Sequence, residues 1–205
     1  MASKKLTRAA VRFWAKLIIY FLKVIIGVRV LFRNKYINNN KGYLIAANHQ
    51  STFDTIFFLN QFDKVIYVVK KELMYIPIYG WYAMRLGNIF IDRKERISAI
   101  KHLSYKVSAA LKENYKIIIF PEGTRQEKNI IGNMKSGIYA IYKSCKCPIY
   151  PIYIGSYVVW PKNSYIKSKN DIKVKTLKPI RSNDTKINFL SRLKDDLEKE
   201  HIKKY

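Results

Sequence analysis

Of the three histidines in this 205-residue chain, His49 has the neighbours that could make an imidazole reactive. It stands in Asn48-His49-Gln50-Ser51-Thr52-Phe53-Asp54, directly after an apolar run at 43–47. Two residues five apart point about 140° away from each other on an ideal helix, so His49 and Asp54 cannot share a helical face. If His49 instead precedes a helix and Asp54 lies in its first turn, the carboxylate can lean back to the imidazole, because helical side chains tilt towards the N-terminus. The carboxylate would then fix one ring nitrogen as donor and leave the other as a base. Asp54 also completes a capping box with Ser51, and the two roles are compatible. A second segment, Phe120-Pro121-Glu122-Gly123-Thr124-Arg125, follows another apolar run. Glycine there permits close backbone approach, and Arg125 offers a planar fork matched to phosphate oxygens. A third segment, residues 87–93, ends in Asp92-Arg93, either a second strand-end arginine or a solvated ion pair. His102 sits in a helical pattern and His201 near the C-terminus of another, where structural or dipole-complementing roles suffice. Cys145 and Cys147 form C-x-C, too close for a typical bridge, and no second Cys/His pair completes a zinc site, so no metal is expected.

These segments need a frame to hold them. Apolar runs at 43–47, 65–69, 88–91, 116–120 and 149–154 read as strands, with a further one at 172–177. Ile97, Ile100, Leu103, Val107, Ala110 and Leu111 recur at helical spacing, as do Ile187, Leu190, Leu193 and Leu197 near the end. The alternation predicts a single α/β domain over residues 41–205, with a largely parallel central sheet flanked by helices. Such sheets place their sites where strand ends face helix starts, which is where His49 and Arg125 fall.

Residues 1–40 differ in character. Ten Lys or Arg and no acidic residue lie in residues 1–41, and the first carboxylate of the chain is Asp54. At 100° per residue Lys5, Arg8, Arg12, Lys16 and Lys23 fall within about 80°, leaving Leu6, Phe13, Trp14, Leu17, Ile18, Phe21, Leu22 and Ile25 on the remaining face, with Ile26 at its edge. This is the pattern of a membrane-associating amphipathic helix lying in the lipid interface, on the cytoplasmic leaflet. A tilted transmembrane anchor, a core helix and a secretory signal are the competing readings, the last disfavoured by the lysines that interrupt the apolar run. Over the whole chain 39 Lys and Arg outweigh 14 acidic residues, giving +25, which points to a polyanionic partner. Nucleic acid is disfavoured as that partner, because no helix-turn-helix, zinc or aromatic RNA-binding motif accompanies the charge. With 49% apolar residues a wholly disordered chain is excluded.

Taken in register, N-H-x-x-x-x-D at 48–54, G-x-x-F-x-x-R at 87–93, F-P-E-G-T-R at 120–125 and the proline-containing apolar stretch at 147–152 resemble the four blocks of the glycerophospholipid acyltransferases, most closely the lysophosphatidate acyltransferases. The resemblance covers roughly residues 40–155. It implies transfer of a fatty acyl group from a thioester, acyl-CoA or acyl carrier protein, to the sn-2 hydroxyl of 1-acyl-sn-glycerol-3-phosphate, with no further cofactor. Because a thioester is already activated, a general base on the attacking alcohol is enough, and an imidazole suits that role near pH 7. No G-x-S-x-G elbow nominates a serine acyl-enzyme, so direct transfer with His49 and Asp54 as the catalytic pair is expected. By the same matching Arg93 and Arg125 would hold the acceptor's phosphate, with Lys135 as a third cation and Gly123 and Thr124 in the same substrate-binding loop. Glu122 would orient Arg125 or bond a glycerol hydroxyl. Pro151 and Ile152 would line an acyl pocket. The resemblance also implies a bilayer partner, at the cytoplasmic face of a bacterial inner membrane. Other acceptors, such as glycerol-3-phosphate or a lyso-ornithine lipid, fit the same blocks; a non-catalytic membrane- or nucleic-acid-binding protein is the alternative of another class.

Overall fold

Strand β2 (Tyr43–Ala47) is buried along its whole length, with Leu44 and Ala46 turned to one layer of the core and Ile45 and Ala47 to the other. A parallel sheet covered on both faces requires such continuous apolar strands. The computed structural model describes residues 3–38, 40–92, 98–127, 130–181 and 184–203, the side chains of 98–102 excepted. After β2 come α2 (Phe53–Gln61), β3 (Val65–Lys70), α3 (Tyr79–Leu86), β4 (Ile89–Ile91), α4 (Ser98–Lys112) and β5 (Lys116–Ile119). The chain continues through α5 (Gly137–Cys145), β6 (Ile149–Ile154), β7 (Asp171–Thr176) and α6 (Lys186–Ile202). Ahead of β2 lie α1 (Lys4–Phe21) and β1 (Arg29–Arg33).

The seven strands form one sheet in the order β1-β7-β6-β2-β5-β3-β4. From β6 to β4 all neighbours are parallel, whereas β7 runs antiparallel to β6 and carries β1 parallel to itself. Helices α4, α5 and α6 bury Val107, Ile141 and Leu193 on one face, and α2 buries Phe53, Phe57 and Phe58 on the other. The α/β architecture with a mostly parallel sheet is thus as the sequence predicts, with α3 and α5 added where short windows hid their period.

The N-terminal segment departs from expectation. Its helix ends in a π turn at Leu22–Ile26, which Gly27 closes with φ 79°, and Arg29–Arg33 then enters the sheet. A bidentate pair from Arg29 to Asp171, at 2.9 and 2.7 Å, sits at the first register position of β1 on β7. The segment is therefore not helical throughout, and a boundary at residue 40 falls behind a strand of the main sheet. The helix itself carries three faces. Thr7, Ala15 and Leu22 are buried, with Ile18 and Ile26 partly so, and α1 packs on α2 and α3. Ile18, Leu22 and Ile26 thus serve the domain, while Leu6, Phe13, Leu17, Phe21 and Ile25 remain exposed. Among the described residues no helix is long and apolar enough to cross a membrane.

Removing residues 1–33 takes away a sheet strand and uncovers the edge of β7, a template for aggregation. Such a chain should precipitate, or melt well below the full-length protein. By contrast Phe13→Ser and Leu17→Ser on the exposed face should move stability by only about 0.5 kcal/mol in chemical denaturation.

Candidate active site

Strands β2 and β5 are neighbours, yet the helices that follow them lie on opposite faces, α2 on one and α5 on the other. Between two such strands a crevice opens at the carboxyl ends, the usual place for ligands in an open α/β sheet. The loop leaving β2 carries Asn48 to Thr52, and the loop leaving β5 carries Phe120 to Arg125.

Asp54, in the first turn of α2, has no exposed surface. A carboxylate taken out of water costs several kcal/mol unless donors replace the lost hydration. Here four do. One oxygen, Oδ2, accepts the Gln50 amide at 2.8 Å and the Ser51 amide at 2.9 Å, and lies 2.9 Å from His49 Nδ1. The other, Oδ1, accepts the Ser156 hydroxyl at 2.5 Å. With its proton on Nδ1, the His49 ring donates to Asp54 and presents Nε2 as a lone-pair base, with no partner for it among the described residues. The Ser51 amide bond is the capping-box half of the same arrangement, so one carboxylate serves both helix start and ring. The ring is 16% exposed and stacks on Phe120, centroids 4.1 Å apart and planes 16° from parallel. Phe120 in turn stacks on Tyr67, whose hydroxyl donates to Thr55 O in α2 at 2.6 Å.

The backbone carrying His49 is held from two more sides. Asn48 is fully buried and works as a bracket: its amide donates to Ile154 O at 2.8 Å, and its carbonyl oxygen accepts the Ile154 amide at 2.7 Å, tying the end of β2 to the end of β6. From the β5 loop, the Gln126 amide donates to His49 O at 2.7 Å. Glu122 corrects its expected role. It is 2% exposed, and its two oxygens accept the His49 amide at 2.9 Å and the Gly132 amide at 3.1 Å. Neither Arg125 nor an open surface is its partner; it positions the His49 backbone from beneath. Burial pushes this carboxyl up to about 8, against the two amides that lower it, with the Asp54 charge adding to the rise.

Arg125 reaches the same loop, donating to Thr52 Oγ1 at 3.1 Å. Gly123, at φ 77°, makes the turn that swings Thr124 and Arg125 back towards the His49 loop, and Thr124 is exposed. The exposed Lys135 is drawn in by its amide bond to Pro121 O at 2.8 Å. Arg93 lies outside the described residues. Pro151 and Ile152 are buried within β6, Ile152 with no exposed surface in the core layer that also holds Phe57. Ser156 and the Asn48 bracket were missed in the sequence. Ser156 follows β6 after Gly155, and only its strand-end position hinted at it.

Fold and site together define an α/β protein with a carboxylate-oriented imidazole and neighbouring cations at a topological switch point. The chain belongs to the acyltransferase family, whose sequence model matches residues 29–155. It is 32% identical over 167 residues to a 1-acyl-sn-glycerol-3-phosphate acyltransferase of Pseudomonas aeruginosa, covering 82% of this chain and 65% of that one. It is 31% identical over 172 residues to the protein of the same name from Saccharomyces cerevisiae, covering 81% and 56%. The chain thus spans between about half and two thirds of the length of these curated relatives. Its fold matches the crystal structure of the 1-acyl-sn-glycerophosphate acyltransferase from Thermotoga maritima with a TM-score of 0.77, at 21% identity, covering 97% of this chain and 79% of that one.

Because the folded Glu122 carboxyl titrates near 8 and an ordinary one near 4.5, the folded chain holds the extra proton between those values, and the stability from this group falls as pH rises through the window. Urea midpoints of the wild type should drop between about pH 5 and pH 8 by more than those of Glu122→Gln. Equal slopes would mean that Glu122 stays ionised in the folded site.

Proposed function

We propose that this chain is a membrane-associated acyltransferase that moves a fatty acyl group from acyl-CoA or acyl carrier protein to the sn-2 hydroxyl of 1-acyl-sn-glycerol-3-phosphate, forming phosphatidic acid. The observation that carries the reading is the His49–Asp54 pair at 2.9 Å, with Nε2 left over and Arg125 on the adjoining loop. In the proposed step Nε2 takes the proton of the acceptor hydroxyl as its oxygen attacks the thioester carbonyl. The tetrahedral intermediate collapses by breaking the carbon–sulfur bond, and the imidazolium returns the proton to the departing thiolate. Asp54 holds the ring and faces the charge that forms on it, as the orienting carboxylate does in a triad. The thioester supplies the activation, so the reaction as written draws on no further cofactor.

Arg125, with Lys135 and Arg93 as further cations, would take the acceptor phosphate, for which a guanidinium fork is well matched. The names of the relatives support lysophosphatidate as acceptor over glycerol-3-phosphate or a lyso-ornithine lipid. A positioned base contributes about 10²–10⁴-fold, so His49→Ala should cut kcat by that range with an unchanged circular dichroism spectrum. Arg125→Ala should mainly raise KM for the phosphorylated acceptor and leave KM for the thioester near its original value. Purified full-length protein, one labelled acyl-CoA and a panel of the three acceptors measure both effects. Substantial turnover by His49→Ala removes it as the base, and preferred acylation of another acceptor reassigns the substrate.

A further inference from the structure

From Tyr75, after β3, through most of α3 the chain builds a strap whose large apolar side chains face outward. Tyr75 is 71% exposed and Ile78 75%, and Ile76, Trp81, Tyr82 and Met84 are exposed as well. A soluble surface rarely gathers so many apolar groups in one short stretch without a partner. The strap does not reach this form by default. Ile78 has φ 65° and ψ −57°, with the Tyr79 amide bonded to Pro77 O at 2.6 Å, a γ-turn that is rare and strained at a β-branched residue. Gly80 lies against the preceding 3₁₀ turn, where a Cβ would come within 2.0 Å of Met74 O. The fold thus spends strain to turn Ile78 outward, and such outliers gather at functional places.

Position and charge indicate what covers the strap. It leaves the carboxyl end of β3, the end of the sheet that carries His49, and α3 packs against α1. Burial raises the Tyr67 phenol well above its ordinary value, and Tyr79 of the strap, with Asp54, adds to that rise. The outer face of α1 beside it is apolar and its flank basic, with Lys5, Lys16 and Lys23 exposed and no acid before Asp54 in the chain. Around the strap Lys70, Lys71 and Arg85 outnumber Glu72 and Asp92, the latter paired with Lys71. Tryptophan and tyrosine amid lysine and arginine is the composition of a surface seated at the headgroup level of an anionic leaflet.

We infer that residues 75–84 are a second membrane-docking element, which seats in an anionic phospholipid leaflet together with the outer face of α1 and brings the mouth of the His49 crevice to the lipid surface. The inference does not rest on the acyl-transfer reading.

The test uses the full chain with Trp81 as its only tryptophan (Trp14→Phe, Trp160→Phe) and vesicles of phosphatidylglycerol and phosphatidylethanolamine, with or without brominated acyl chains. Trp81 emission should shift to the blue on binding and lose at least about half its intensity to the brominated chains, as for a ring at the acyl boundary. The double variant Ile78→Ser/Trp81→Ser, made in the wild-type background, should bind vesicles about tenfold or more weakly, given the apolar area lost, with unchanged melting. Emission indifferent to brominated lipid, or a double variant that sediments with vesicles like the wild type, overturns the proposal. So does concentration-dependent shielding of Trp81 without vesicles, which assigns the strap to a second copy of the chain. A chain that acylates nothing while its Trp81 is quenched refutes only the proposed function.

Discussion

A carboxylate removed from water must be given donors in place of water, and the way Asp54 acquires them shapes the whole carboxyl end of the sheet. Two backbone amides, one imidazole and one serine hydroxyl converge on its two oxygens. They come from the loop leaving β2 and from Ser156, two residues beyond the end of β6, so the group cannot be satisfied unless those strand ends lie side by side. With only one or two partners the buried charge would cost several kcal/mol, a large share of a domain's marginal stability. Orientation of His49 is therefore a consequence of satisfying Asp54. The same interactions that stabilise the fold set which ring nitrogen stays open.

Around this carboxylate the β5 loop supplies a second layer of control. Glu122 accepts the His49 amide, Gln126 donates to the His49 carbonyl, and Phe120 lies flat against the ring. The peptide units and the plane of His49 are thus fixed from a strand other than its own. Among the described residues no buried side-chain polar atom lacks a partner, the condition under which a polar network stiffens a site. Elsewhere the surface changes character, from buried polar groups to exposed aromatics on α1 and on the strap that runs into α3.

Much of this was legible in the residues because the signals were local. Strand β2, a helix beginning within a few residues of His49 and the His49–Asp54 contact all follow from an apolar run, a polar loop and the lean of a helical side chain. The chain-distant parts were not legible. Ser156 lies 102 residues from Asp54, and nothing in a Gly-Ser pair announces that partner. Glu122 is expected to orient Arg125 or bond a glycerol hydroxyl, whereas its side chain turns inward to an amide 73 residues away. At the N-terminus the apolar run continued across Gly27, so a strand and a helix read as one amphipathic segment; only pairing with β7 separates them. Within α1, period alone could not divide residues that face the domain from those that face outward.

The central claim is that Asp54 fixes the His49 ring with its proton on Nδ1. Nitrogen-15 spectra of the histidine rings in the full-length protein, recorded where the imidazole is neutral and assigned with His49→Gln, report that tautomer directly. His49 should show a protonated Nδ1 and a bare Nε2, with this preference lost in Asp54→Ala. A His49 ring protonated on Nε2, or one whose tautomer is indifferent to Asp54, would contradict it.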